Sequence, residues 1–253
     1  MEALTVAGVV FAATFGGTLL GMVLRRRLPE THLNHDSKDV VRTGTGLLAT
    51  LAALVLGLLL ASAKGSYDAQ RAGFQQLATN LIVLDRALKV YGPEAAPARE
   101  HLRRTVGLML DHRWPADRAR PGSLDAPEIT ASAVAFYAAV RDLPAPTDAQ
   151  KATQAQALQV SADLARTRWQ LSQGEASAIP LPFLVVLVAW LAVLFVTFGL
   201  FATPNGTVVA VLAACALSLA GALFLIVELD QPFDGLIQVS SKPLRDALGQ
   251  LGR

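Results

Sequence analysis

Four apolar runs, residues 3–24, 43–63, 179–201 and 207–227, stand in two pairs on either side of about 115 residues of far more polar sequence. Each run has about 20 residues. As a helix rising about 1.5 Å per residue, each is long enough to cross roughly 30 Å of hydrocarbon. None of the four contains Asp, Glu, Lys or Arg. The pattern predicts an integral membrane protein with four transmembrane helices. The first run does not read as a cleavable leader, because Arg25, Arg26 and Arg27 follow it and no Lys or Arg precedes it.

Between the first two runs, Leu28-Pro29 breaks the first helix, and Asp36 or Ser37 is the expected cap of the next, with Asp39 favourable in its first turn. No Gly-Pro punctuation follows until Gly92-Pro93, and Phe74, Leu77, Leu81, Leu84 and Leu88 recur at alternating steps of three and four. That spacing is a heptad seam, which calls for a partner helix. A single helix over 37–91 is therefore expected, about 80 Å long by the helical rise.

Three further helices are predicted in the polar region, over 93–114, 128–142 and 147–173. Pro180 and Pro182 suit the first turn of the third span, and the uncharged turn 202–206 joins it to the fourth as a hairpin. A short amphipathic helix closes the chain, with Ser241 as its expected cap and Leu244, Ala247 and Leu248 on one side. Alternating strand patterns are lacking. The chain reads as all-α: transmembrane helices in 1–63, a helical extramembrane domain in 64–178, a transmembrane hairpin in 179–227 and a juxtamembrane tail in 228–253.

Composition agrees and narrows the function. Of 253 residues, 53% are hydrophobic and 17% charged, and the apolar ones concentrate in the four runs. A net charge of +2 with no basic patch argues against nucleic acid as a partner. A lone cysteine, Cys215, and four histidines leave little for a disulfide or a structural zinc site. No nucleophile elbow, zincin, phosphate-loop or dinucleotide fingerprint occurs, so neither an enzyme nor a cofactor is expected. Positive charge leaves the orientation open: one face carries five Lys/Arg near the spans and the other seven, although Arg25–Arg27 all border the first span.

The second run carries the most informative pattern. Thr43, Gly46, Thr50, Ala53, Gly57, Leu60 and Lys64 fall at alternating steps of three and four, and five of the seven are small. Such a stripe is either a close-packing face between membrane helices or the wall of a pore shared by several copies, with Thr hydroxyls and accessible backbone in place of water. Arg42 and Lys64 stand at its two ends, where charge at a pore mouth would select ions by sign; ordinary snorkelling and pairing at a membrane surface is the simpler account. Leu56 and Leu60 are candidate constrictions. Near the first connection, Glu30, His32, His35, Asp36 and Asp39 form a weak metal pattern for which helix entry is the plainer explanation. After the fourth span, Glu228, Asp230 and Asp234 are candidates for gating or for cation binding, through oxygens of the kind calcium prefers.

The stretch LPETHLNHDSKDVVRTGTGLLATLAALVLGLLLASAKGSYDAQ (28–70) and the segment ELDQPFDGLIQVSSKPLRDAL (228–248) resemble an uncharacterised bestrophin-like family of bacterial and plant membrane proteins. More distantly, the arrangement is similar to that of bestrophins, which are pentameric ion channels with the second span around the pore. The resemblance implies an oligomeric ion channel of the bacterial inner membrane, lined by the second span, with a permeant ion, the lipid bilayer and further copies of the chain as its partners. It implies that 64–178 and both termini are cytoplasmic. Pro232-Phe233 echoes the Pro-Phe-Gly segment that helps animal members hold calcium, but Asp234 interrupts it and the long acidic run is missing. The alternative is a non-conducting scaffold or sensor that docks a partner through its helical domain.

Overall fold

The structure is a computed structural model describing residues 3–29, 35–115, 121–174, 179–203, 205–233 and 235–252, with the backbone alone for 35–37. Among the described residues there is no strand. The order is α1 (Ala3–Arg27), α2 (His35–Tyr91), a 3-10 turn (Pro93–Ala95) leading into α3 (Ala96–Arg113), α4 (Pro127–Arg141), α5 (Asp148–Gln173), α6 (Leu181–Phe201), α7 (Gly206–Asp230) and α8 (Lys242–Gln250). These residues form two compact units, Met1–Ser66 with Ser177–Gln231 and Tyr67–Ala176 with Pro232–Arg253. Helix α2 begins at His35, and the side chains of Asp36 and Ser37, its expected caps, lie outside the described residues.

The first unit holds the four apolar helices, each long and apolar enough to cross a membrane. Leu4, Leu20, Leu54, Leu58, Val185 and Leu217 are exposed on its outside, the arrangement expected where the solvent is hydrocarbon. This is a multi-pass membrane protein. Helices α1 and α6 approach through glycine. A Cβ on Gly17 would stand 3.0 Å from the Ala192 oxygen, and one on Gly21 would overlap the Val196 oxygen. Thr14 and Thr18 are buried beside them, and each hydroxyl donates back to its own helix, to the Val10 oxygen at 2.7 Å and the Thr14 oxygen at 3.3 Å. No buried hydroxyl there is left without an acceptor, which in an apolar medium would be costly. Arg25 stays helical at the end of α1 and donates to the Ala202 carbonyl at the end of α6. The hairpin turn is set by Asn205, whose side chain accepts from Val208 N at 2.8 Å and caps α7.

The second unit is built around the heptad seam of α2. Phe74, Leu77, Leu81, Leu84 and Leu88 are all essentially inaccessible, packed with Leu102 and Val106 of α3, Ile129 and Val140 of α4, Leu164 of α5 and Leu244 of α8. The partner helices that the seam calls for thus come from the same chain. Full burial of one such leucine is worth about 1.5–3 kcal/mol. Gly92, at φ 131°, ends α2 in backbone that a side chain rarely adopts. Thr147 and Gln150 form a reciprocal capping box that starts α5. From α5, Gln154 Nε2 reaches the Val140, Arg141 and Leu143 oxygens at 3.0–3.1 Å and so satisfies the open carbonyls at the end of α4. At α8 Ser241 takes the N-cap position as expected, but the hydroxyl that accepts a backbone N–H there is that of Ser240, from Lys242 at 3.1 Å.

Candidate functional site

In the membrane unit α2 has three faces. One is packed: Ala52, Leu59 and Ala63 are buried, with Leu48, Val55 and Leu56 leaning on the same core. A second is a row of exposed leucines, Leu47, Leu51, Leu54 and Leu58. The third is the small-residue stripe. Thr43, Gly46, Thr50, Ala53, Gly57, Leu60 and Lys64 are all exposed. At about 100° per residue the three faces are separated by roughly a third of a turn each.

The stripe is not a packing face within this chain. A Cβ added at either of its glycines, Gly46 or Gly57, would meet nothing within 4 Å. Thr43 donates to the Asp39 oxygen and Thr50 to the Gly46 oxygen, both at 2.9 Å, so each hydroxyl is held along its own helix and keeps its lone pairs outward. Of the two expected constrictions, Leu60 lies on the stripe, whereas Leu56 turns into the packed core. Arg42 lines a crevice of about 940 Å³ between the start of α2 and the α6–α7 hairpin, together with Lys38, Gly46, Phe201 and Val208. Its setting is the flank of the stripe, shared with the hairpin.

The acidic segment is more enclosed than its sequence suggests. Glu228 and Asp230, in the last turn of α7, are 5% and 9% exposed, and Gln231 N donates back to the Glu228 oxygen at 3.3 Å. Asp234 lies outside the described residues, as do Glu30, His32 and the side chains of His35 and Asp36. Among the described residues, no three His, Cys, Asp or Glu side chains gather as a metal site.

Residues 12–244 match the Bestrophin-like domain, nearly the whole chain. The chain belongs to the bestrophin-like family. Neither a curated relative nor a solved structure matches it.

In this bestrophin-like chain, Phe233 of the Pro-Phe pair is an anchor of the helical unit. Its ring stands edge-on to Phe74 and Trp114, at centroid distances of 5.7 and 6.0 Å, and those two rings meet each other at 5.1 Å. The Arg113 guanidinium carbon lies 3.6 Å from the centre of the Phe233 ring, a cation–π contact in a buried setting. Trp114 Nε1 donates to the Val239 oxygen at 3.0 Å. The segment after α7 is thereby fastened to the end of α3.

Sequence reading alone missed three polar groups in the helical unit. Asp85 and Arg99 form a two-pronged ion pair, Nε to Oδ1 at 2.8 Å and Nη2 to Oδ2 at 3.0 Å, with Asp85 almost fully buried. The hydrogen bonds that Arg99 donates to Asp85 hold its guanidinium in the charged form even above its usual range. Arg168 is largely enclosed, and its Nε and Nη1 have no protein acceptor. Periodicity places each of these on a helix but does not say which polar position turns inward. The only signal was the appearance of Asp85 next to Leu84 within the seam register.

Proposed function

We propose that the protein is one subunit of an oligomeric ion channel whose symmetry axis is lined by the α2 stripe. The observation supporting this most directly is the division of α2 into three faces. The packed face serves this chain and the leucine row suits lipid tails. Thr43, Gly46, Thr50, Ala53, Gly57 and Leu60 suit neither. A surface of exposed glycine backbone and hydroxyls gains little from hydrocarbon, and it gains from water, ions or another copy of itself. Membership of the bestrophin-like family supports the same assembly, with five subunits by analogy with bestrophins and the bacterial inner membrane as its place. Arg42 and Lys64, exposed at the two ends of the stripe, are the charges that would bias the sign of the permeant ion. Glu228, Asp230 and Asp234 are the acids through which a cation could act on gating.

The scaffold reading loses the surface that suggested it, because the Phe74–Leu88 seam is filled by the chain's own helices.

The test is ion flux from liposomes carrying the purified protein, under separate chloride and potassium gradients and with calcium varied. Flux that changes severalfold on Thr50→Val or Gly57→Val supports the reading, and charge reversal at Arg42 or Lys64 should then shift the selectivity. No flux under either gradient across pH and calcium sinks it.

A further inference from the structure

The helical unit contains a cavity of about 260 Å³ enclosed by α2, α3, α4 and α5. Its walls are apolar: Leu77 and Leu81 of α2, Leu102 and Met109 of α3, Phe136 of α4 and Leu164 of α5. It opens past Val134 and Tyr137, which are 63% and 45% exposed and also line it. At roughly 30 Å³ per water-sized group, the space takes a molecule of about nine or ten heavy atoms.

One cation is set into this apolar wall. Arg168 of α5 lines the cavity, and two of its nitrogens, Nε and Nη1, are buried without a protein hydrogen-bond acceptor. Its nearest carboxylate, Asp125, has Oδ1 at 3.8 Å from Nε, beyond hydrogen-bond reach, and is itself partly exposed. Two hydroxyls lining the cavity are already engaged. Thr105 Oγ1 lies 2.8 Å from the His101 oxygen and 2.7 Å from Ser132 Oγ, and Ser161 Oγ donates to the Ala157 oxygen at 2.6 Å. A guanidinium presents a fixed fork of donors that matches a carboxylate, and leaving buried donors unmatched is costly. An oily chamber with a single guanidinium in its wall, two of whose nitrogens lack a hydrogen-bond acceptor, fits a ligand with an apolar tail and a single anionic head.

We propose that this cavity binds a small amphipathic monocarboxylate of about eight carbons, with its head group on Arg168 and its tail among Leu77, Leu102 and Phe136. Nothing in this requires the pore; the site lies wholly within the helical unit, and it stands or falls apart from conduction.

The probe is octanoate, with octanol as its uncharged match. Binding is measured by equilibrium dialysis against the full chain in lipid nanodiscs, with empty nanodiscs as control. Octanoate should bind saturably with about one site per chain, and Arg168→Gln should weaken it at least tenfold while changing octanol binding less than twofold. Ala165→Phe, placed at an exposed residue that lines the cavity, should block both ligands. An unchanged melting temperature for each variant guards against simple misfolding. Octanoate uptake no greater than that of empty nanodiscs, or equal affinity in Arg168→Gln, overturns the proposal. So does disulfide crosslinking between copies through Val134→Cys without any octanoate binding, which would make the mouth a subunit contact.

Discussion

Gly199 of α6 lies so close to Thr18 of α1 that a Cβ on the glycine would overlap the Thr18 carbonyl oxygen. The two backbones meet there without a side chain between them, and Gly17 and Gly21 repeat the approach along α1. The small residues of α1 and α6 hold this chain's own membrane helices together. On the α2 stripe, by contrast, a Cβ on Gly46 or Gly57 would meet nothing within 4 Å.

That contrast makes a paired prediction. Gly199→Ala should cost on the order of 2–3 kcal/mol, because the obstacle is backbone that cannot rotate aside. Gly57→Ala should cost nothing measurable in the isolated chain and, by favouring helix, should be neutral to slightly stabilising. Thermal denaturation in a mild detergent compares the two. Equal losses at both sites would show that the α2 stripe is packed after all.

Cysteine accessibility tests the axis directly. In a background lacking the exposed Cys215, single cysteines at Thr43, Gly46, Thr50, Ala53, Gly57 and Leu60 should react with a charged aqueous thiol reagent. Cysteines at Leu54 and Leu58, on the leucine row, should stay unreactive in a bilayer. Labelling of the leucine row with a silent stripe would reverse the assignment of the two faces.

The Asp85–Arg99 pair should behave as a buried ion pair does. Asp85→Asn strips the charge from one partner and leaves the other enclosed, with an expected loss on the order of 3 kcal/mol. Replacing both by apolar residues of similar size should recover much of that. Chemical denaturation of the single and double variants measures the coupling, and strict additivity would mean the pair contributes nothing of its own.

Tyr91 gives the helical unit an alkaline weakness. Burial, with Glu94 nearby, pushes its phenol above the ordinary value of 10.0, and its hydroxyl donates to the Pro144 oxygen. A raised folded value means the folded state holds the proton more tightly. The stabilisation is then complete below about pH 10 and is lost as pH rises from there through the folded value. Stability measured from about pH 9 to 11 should fall more steeply in the native chain than in Tyr91→Phe. Parallel slopes would remove Tyr91 as the cause.

Much of this architecture is legible in the chain itself. Absence of charge over about 20 residues has one physical meaning, which is why all four candidate membrane helices could be read directly. Periodicity likewise placed α2 through Tyr91 and set Thr147 at the head of α5. The destination of each face was not legible. Spacing of three and four marks Phe74–Leu88 and Thr43–Leu60 alike as one side of a helix, yet the first is core and the second is bare. A helix pattern records that a side needs a partner without naming the partner, because contacts between distant segments depend on how the chain returns on itself. Only tertiary structure showed that α3, α4, α5 and α8 cover the seam, that Gly199 meets Thr18, and that Arg168, with two buried nitrogens lacking an acceptor, lines an apolar chamber.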